Sequence, residues 1–331
     1  MTANKMFDGR RIVFMYPGQG SQYFRMGKTL FERDDAFRGS LEWLNRIVEA
    51  EIGASLIDYV FDPGKNPAMP FDDTRYSNQA VFCFEYALTQ SLLAHGVYPD
   101  CVLGASLGEL VAACVAGSLS PRTCIAMLAD SARTMARTCR PGGMLAVLAS
   151  PGLFDRDAVL SGNAELASIS FDQHFVVAGT AAGMDVIETH LSARGVPTAR
   201  LPVEYGFHSA AIDPARESLR RQFADIGASR PIVALLSCEK ADFVDRPDAA
   251  HLDAVLRRPI QFKRAIERLE QQGDYWYVDV SLSGTLATYC KHLLGPYSRS
   301  SSVAVATPFS RHESLDPAHW LVAKYMPPTA A

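Results

Sequence analysis

The sequence predicts an α/β protein: a mostly parallel sheet with helices on both faces, interrupted by a small βαββαβ unit. Short apolar runs such as "IVFMY" and "VLG" have the length of buried strands. Segments of helical length separate them, and strands that alternate with helices pair in parallel. From about residue 140 to about 204 the rhythm changes to strand, helix, strand, strand, helix, strand.

In chain order, "IVFMY" (12–16) is a strand that runs into the Gly-rich loop "PGQGSQ", and helical patterns follow at about 35–50 and 78–95. "DCVLGAS" is a second short strand. "LGELVAACVAGSL" and "PRTCIAMLADSARTMART" read as helices, the second opened by Ser120 as cap and Pro121 at its first position. The inserted unit then reads "GGMLAVLAS" strand, "PGLFDRDAVLSG" helix, "ELASIS" and "FVVAGT" strands, "AAGMDVIETHLSARG" helix and "VPTARLPV" strand, the ferredoxin-like order. The α/β pattern resumes with "PIVALLS", the amphipathic "PIQFKRAIERLEQQG" and "YWYVDVS", and the tail from "SRSSSVAVATPF" onward reads as a surface wrap. Two lobes are expected: 1–139 with 205–331, and the insert 140–204.

At 331 residues the chain can bury a large core, and with 48% apolar and 21% charged residues it falls among ordinary globular proteins. A net charge of -4 gives no general attraction to nucleic acid or to acidic membranes. The seven cysteines form no CxxC pair and mostly sit in apolar surroundings, which argues against a zinc site or a disulfide framework. "MTANKMFDGRR" lacks the apolar core of a signal peptide, and no apolar run is long enough to span a membrane. A cytoplasmic protein without metal or cofactor is expected.

The chemistry concentrates in "VLGASLGELVAACV". Strand, Gly-x-Ser-x-Gly, helix is the context of a nucleophile elbow, in which the serine hydroxyl, here Ser106, stands free at the end of a sheet. The following helix aims its positive end and its unpaired N–H groups at any oxyanion formed there. A serine hydroxyl needs a base, so a histidine is required. His95 ends a helix, His174 falls in a turn, His190 is on a helix of the insert, and His312 and His319 are in the tail. His208, in "EYGFHSAAID", follows the last strand of the insert, where the chain re-enters the larger lobe and a cleft should lie.

Three segments, "YPGQGSQ", "GASLGE" and "FHS", resemble in order and separation the malonyl-CoA:acyl carrier protein transacylases, the acyltransferase family of fatty acid and polyketide synthesis. The likeness extends through "RPIQF" and "VSLSGTLATYCK" and so covers nearly the whole chain. It implies an α/β-hydrolase-like lobe with a ferredoxin-like insertion, and ping-pong chemistry in which serine takes an acyl group from a thioester and passes it to a thiol or to water. By motif position Ser106 is the nucleophile and His208 its base. A backbone carbonyl, matched here to Gln261, orients the imidazole in place of a triad aspartate. The N–H groups of Leu107 and Gln19 form the oxyanion hole, each such donor typically lowering the barrier by roughly 3–4 kcal/mol. Glu109 is expected to support the elbow by hydrogen bonding rather than to react.

The sequence departs from that family where charge matters. Malonyl groups carry a carboxylate, and burying it without a cation costs several kcal/mol. The family places an arginine on the helix after the nucleophile helix, and the matching position here is Ser131. Arg133 lies about 200° further round that helix, and Arg122 more than two turns away, so neither replaces it. The residue before the nucleophile is Ala105 where the family usually has His, and Ser168 and Ser170 stand where it commonly has Asn. Ala105, Ser131, Ser170 and Phe207 are expected to line the acyl site.

These departures resemble the trans-acting acyl hydrolases of polyketide synthases, which remove acetyl or longer uncharged acyl groups from carrier-protein phosphopantetheine. The resemblance therefore implies an acyl carrier protein as partner, with acyl-CoA a second candidate donor; a monomer is expected. Transfer of an acyl group, malonyl or not, to a carrier protein is the rival activity, and a non-catalytic docking module is a second rival. Because carrier proteins are acidic, Arg257, Arg258, Lys263, Arg264 and Lys291 are candidates for a basic docking surface.

Overall fold

The computed structural model describes residues 9–308. Among these residues ten strands form two sheets. The larger has the order β10-β9-β1-β2-β7-β8, built from β1 (Arg11–Tyr16), β2 (Cys101–Gly104), β7 (Ala234–Ser237), β8 (Asp242–Phe243), β9 (Tyr275–Asp279) and β10 (Ser301–Ala304). All its pairings are parallel except that of β7 with the short edge strand β8.

Successive β1 side chains enter different cores, as the two-residue period of a strand requires. Ile12, Phe14 and Tyr16 pack with the long helices Asp35–Ile52 and Thr74–Ala94, whereas Val13 and Met15 pack with Phe262, Ala265 and Ile266 of helix Phe262–Glu270. Helices thus cover both faces, and the strands read as unbroken apolar runs for that reason.

The second sheet comes wholly from the βαββαβ segment: β3 (Gly142–Val147), β4 (Glu165–Phe171), β5 (His174–Thr180) and β6 (Thr198–Arg200). Its order is β4-β5-β3-β6, with every neighbour antiparallel. A bridge between Ser168 and Ile260 ties its edge to the segment before helix Phe262–Glu270.

Three local expectations change. "PGLFDRDAVLSG" forms two short helices, Gly152–Arg156 and Ala158–Asn163. The break falls at Asp157, whose carboxylate caps the second helix through Val159 N–H at 3.0 Å and accepts from His190 Nε2 at 2.9 Å. His174 opens β5 rather than lying in a turn. The tail is no mere wrap at its start, because Ser301–Ala304 is the edge strand β10 and buries Val303. His312 and His319 lie outside the described residues. All seven cysteines are free thiols, and only Cys139 is not buried. Among the described residues, no helix is long and apolar enough to cross a membrane.

Candidate active site

β1 and β2 are parallel neighbours, so their carboxyl ends lie side by side, with Tyr16 opposite Gly104. β1 delivers the loop that holds Gln19, and β2 delivers Ser106. A crevice beyond the carboxyl ends of parallel strands is the usual place for a site in such a sheet.

The glycines of "GASLG" permit close approach. A Cβ on Gly104 would lie 2.3 Å from Cα of Glu109, and one on Gly108 only 2.0 Å from the Tyr16 carbonyl oxygen. Between them Ser106 has φ 56°, left-handed backbone that costs a residue with a side chain about 1–2 kcal/mol. The helix Gly108–Val115 starts immediately after. Its first turn is held by Glu109, which is buried and accepts from Ser237 Oγ at 2.9 Å, Glu239 N–H at 3.0 Å and His251 Nε2 at 3.0 Å.

His208 is buried and also left-handed, at φ 62°. The Ser106 hydroxyl lies 2.8 Å from its Nε2, and its Nδ1 lies 2.8 Å from the carbonyl oxygen of Arg258. A carbonyl can only accept, so Nδ1 carries the hydrogen and Nε2 is left free to take the proton of Ser106. Burial pushes the pKa of His208 down to about 4, against a smaller upward contribution from the Arg258 carbonyl. The imidazole is therefore neutral at pH 7, as a base must be.

The carbonyl facing His208 thus belongs to Arg258 and not to Gln261. Arg258 ends helix Ala249–Arg257 in extended backbone, φ -87° and ψ 157°, which turns its carbonyl out of the helix. Gln261 is engaged elsewhere: its N–H donates to Cys238 O, its carbonyl accepts from Ala265 N–H, and its Nε2 donates to Glu239 O.

Two cavities meet at Ser106, and Gln19 and Phe207 line both. The first, about 110 Å³, also takes in Ala105, Ser168, Ser170, Phe262 and Tyr289. The second, about 50 Å³, takes in Leu107, Met127, Ser131, Met135 and Phe223. Among the described residues, neither wall contains a charged side chain. Ser131 is buried in the second wall, whereas Arg133 points away, donating to Glu51 O and to Asp130. Leu107 directly follows Ser106 and Gln19 lines both cavities, and among the described residues neither backbone N–H donates to a backbone carbonyl.

Most of the five basic candidates are already engaged. Arg257 bridges Glu165 and Asp213, Arg258 pairs with Glu239, Lys263 pairs with Asp172 and Glu267, and Arg264 donates to Gln261. Arg258, Lys263 and Arg264 border a groove of about 880 Å³. Sequence reasoning missed His251 and Glu239, since no motif surrounds either and their partners lie far off in the chain; the one local signal was Asp248, which caps the helix of His251.

The acyl transferase domain family matches residues 13–314. The chain is 36% identical over 303 residues to the polyketide biosynthesis acyltransferase homolog BaeD of Bacillus velezensis, covering 92% of this chain and 94% of that one. It is likewise 36% identical to the homolog PksD of Bacillus subtilis, with 92% and 93% covered. Among solved structures, a loading acyltransferase of the avermectin modular polyketide synthase superposes with a TM-score of 0.85 at 24% identity, over 95% of this chain and 99% of that one. MCAT from Streptococcus pneumoniae superposes with 0.75 at 21% identity, over 95% and 100%; at these identities the likeness is one of mixed α/β fold. By sequence match over almost its full length, this chain belongs to the acyl transferase domain family.

Proposed function

We propose that this protein is a trans-acting acyl hydrolase of polyketide biosynthesis, which removes acetyl or other short uncharged acyl groups from carrier-protein phosphopantetheine. The observation that carries this reading is the uncharged lining around Ser106, with buried Ser131 at the position where a malonyl enzyme holds its arginine. A dicarboxylic acyl group would lose its hydration there with no cation in return. The names of the two Bacillus relatives place them in polyketide biosynthesis, which supports the same setting for this chain. The two cavities, about 110 and 50 Å³, are walled by apolar and uncharged polar side chains, which suits an uncharged acyl group.

In this reading the Ser106 hydroxyl attacks the thioester carbonyl while His208 Nε2 takes its proton. The N–H groups of Gln19 and Leu107 receive the oxyanion. The C–S bond breaks, His208 returns the proton to the departing thiolate, and an acyl-serine remains. Water then attacks with His208 again as base, the ester C–O bond breaks, and the proton returns to Ser106 with release of the free acid. Residues 140–204 act as an inserted lobe over the rest of the described chain, and the carrier protein docks at the groove where Arg258, Lys263 and Arg264 stand beside Asp172, Glu239 and Glu267.

Time courses with acetyl carrier protein, with and without a second holo carrier, test this. Equal release of acetate in both is expected. Acetyl transfer to the second carrier at the expense of free acetate would make the protein a transferase instead.

A further inference from the structure

A second set of buried polar side chains lies behind the Ser106 and His208 pair. Glu109, Glu239 and His251 are each at most 5% exposed. They link two segments more than a hundred residues apart in sequence, the helix that follows Ser106 and the segment 256–261 that contacts His208.

The links run as follows. Glu109 Oε2 accepts from His251 Nε2 at 3.0 Å, and its Oε1 accepts from the backbone N–H of Glu239 at 3.0 Å. The other ring nitrogen of His251 faces Glu239 Oε2 at 3.8 Å, beyond hydrogen-bond distance, and among the described residues neither atom has a hydrogen-bond partner. Glu239 in turn holds the His208 support: its Oε1 accepts from Arg258 Nη1 at 2.9 Å, and its carbonyl accepts from Gln261 Nε2 at 2.6 Å. Arg258 presents its own carbonyl to His208 Nδ1, and Leu256 presents its carbonyl to the His208 N–H at 3.1 Å. Around Glu109, Glu239 and His251, which are buried, such contacts are directional, and a carboxylate that loses its donor there is disfavoured; the Arg258 side chain at the end of the chain of contacts is exposed.

We propose that His251, which holds Glu109 and through it the Glu239 backbone, is a positioning residue that keeps the Arg258 carbonyl on His208 and so keeps Nε2 aimed at Ser106. It touches neither Ser106 nor a reacting atom. The proposal rests on the Ser106 and His208 reading above, but not on which acyl group is taken.

The test is the rate at which a fluorophosphonate labels Ser106 at pH 7, expressed per folded molecule, together with the NMR signal of the His208 Nδ1–H in protein carrying ¹⁵N-histidine. His251→Leu removes the link, His251→Gln keeps a donor that reaches Glu109, and Glu239→Gln releases Arg258 with little change in volume. We expect His251→Leu to label about fivefold or more slowly, with the Nδ1–H signal lost to exchange, and His251→Gln to recover most of the rate. If His251→Leu does not fold, Glu239→Gln should reproduce the slowing and the loss of signal. Slowing of less than about fivefold in the folded variant, an unchanged Nδ1–H signal, or no recovery with Gln would overturn the proposal. Wild-type protein that labels readily but hydrolyses no acyl carrier protein would sink the function and leave the labelling comparison to decide this role. Wild-type protein that does not label at all would overturn both.

Discussion

Ser106 and His208 meet at 2.8 Å from two separate turns, and both residues hold left-handed backbone, φ 56° and φ 62°. Two non-glycine residues in that region at one contact mark a place where local strain is held by the surrounding fold, and such strain concentrates at functional sites. For Ser106 the holding groups are the Tyr16 and Gly104 strand ends and the Glu109 network; for His208 they are the carbonyls of Leu256 and Arg258.

That strain separates function from stability at position 106. Ser106→Ala should cut thioester hydrolysis at least about a thousandfold. Ser106→Gly should be as inactive, yet more stable than Ser106→Ala by about 1 kcal/mol, because glycine adopts φ 56° freely. Urea unfolding of the two variants checks this; equal midpoints would show that the turn carries no strain.

The pH profile follows from the burial of His208. Its pKa of about 4, against an ordinary 6.5, means that the base stays deprotonated well below neutral pH. The acidic limb of kcat/KM should therefore be centred near 4 and not near 6.5. Stability has the matching sign: the unfolded chain takes up this proton below 6.5 and the folded one only near 4, so stability should fall as pH drops through that window. Rates measured down to the onset of acid unfolding check the first statement, and a limb at 6.5 would contradict it.

Glu85, on helix Thr74–Ala94, and Asp279, at the carboxyl end of β9, are both buried. Among the described residues, both oxygens of Glu85 and Oδ1 of Asp279 have no hydrogen-bond partner. Burial, aided by repulsion from Asp279, holds the Glu85 pKa well above its ordinary 4.5, and burial holds Asp279 at about 6. A raised carboxyl pKa in the folded state gives stability that is full in acid and lost as pH rises. Glu85→Met removes the Glu85 part of that loss. Its stability relative to wild type should thus improve as pH rises from 5 to 8. Parallel thermal or urea midpoints at the two pH values would contradict it.

Ser131 offers a direct gain-of-specificity test. Ser131→Arg places a guanidinium in the wall of the 50 Å³ cavity. A charge-assisted pair contributes roughly 1.5–3 kcal/mol, so malonyl loading should rise about tenfold or more while acetyl turnover falls. Initial rates with both thioesters decide it; unchanged malonyl loading would mean that position 131 does not face the acyl group.

The parts of the site that are local in sequence were legible. Strand, glycine-flanked serine and helix in "VLGASLGELV" reflect backbone contacts within a few residues, and "FHS" follows the last strand of the insert. What escaped the sequence depends on how distant segments end. Whether the carbonyl of Arg258 or of Gln261 faces His208 is decided by where helix Ala249–Arg257 stops and helix Phe262–Glu270 starts, and helix ends are weakly specified by local pattern. His251, Glu239 and Glu109 meet only because β7 leads Glu239 past the elbow helix, which no spacing along the chain records. "SSVA" became a strand because β9 offers it an open edge, and the helix in the insert broke because Asp157 caps better than it continues.

The most direct measurement is rapid-quench intact-protein mass spectrometry after mixing the protein with equal amounts of acetyl- and malonyl-carrier protein. With no cation in the walls around Ser106, the acetyl adduct should form at least about a hundredfold faster than the malonyl adduct, and Ser106→Ala should form neither. Malonyl-Ser106 forming as fast as acetyl-Ser106 would contradict it.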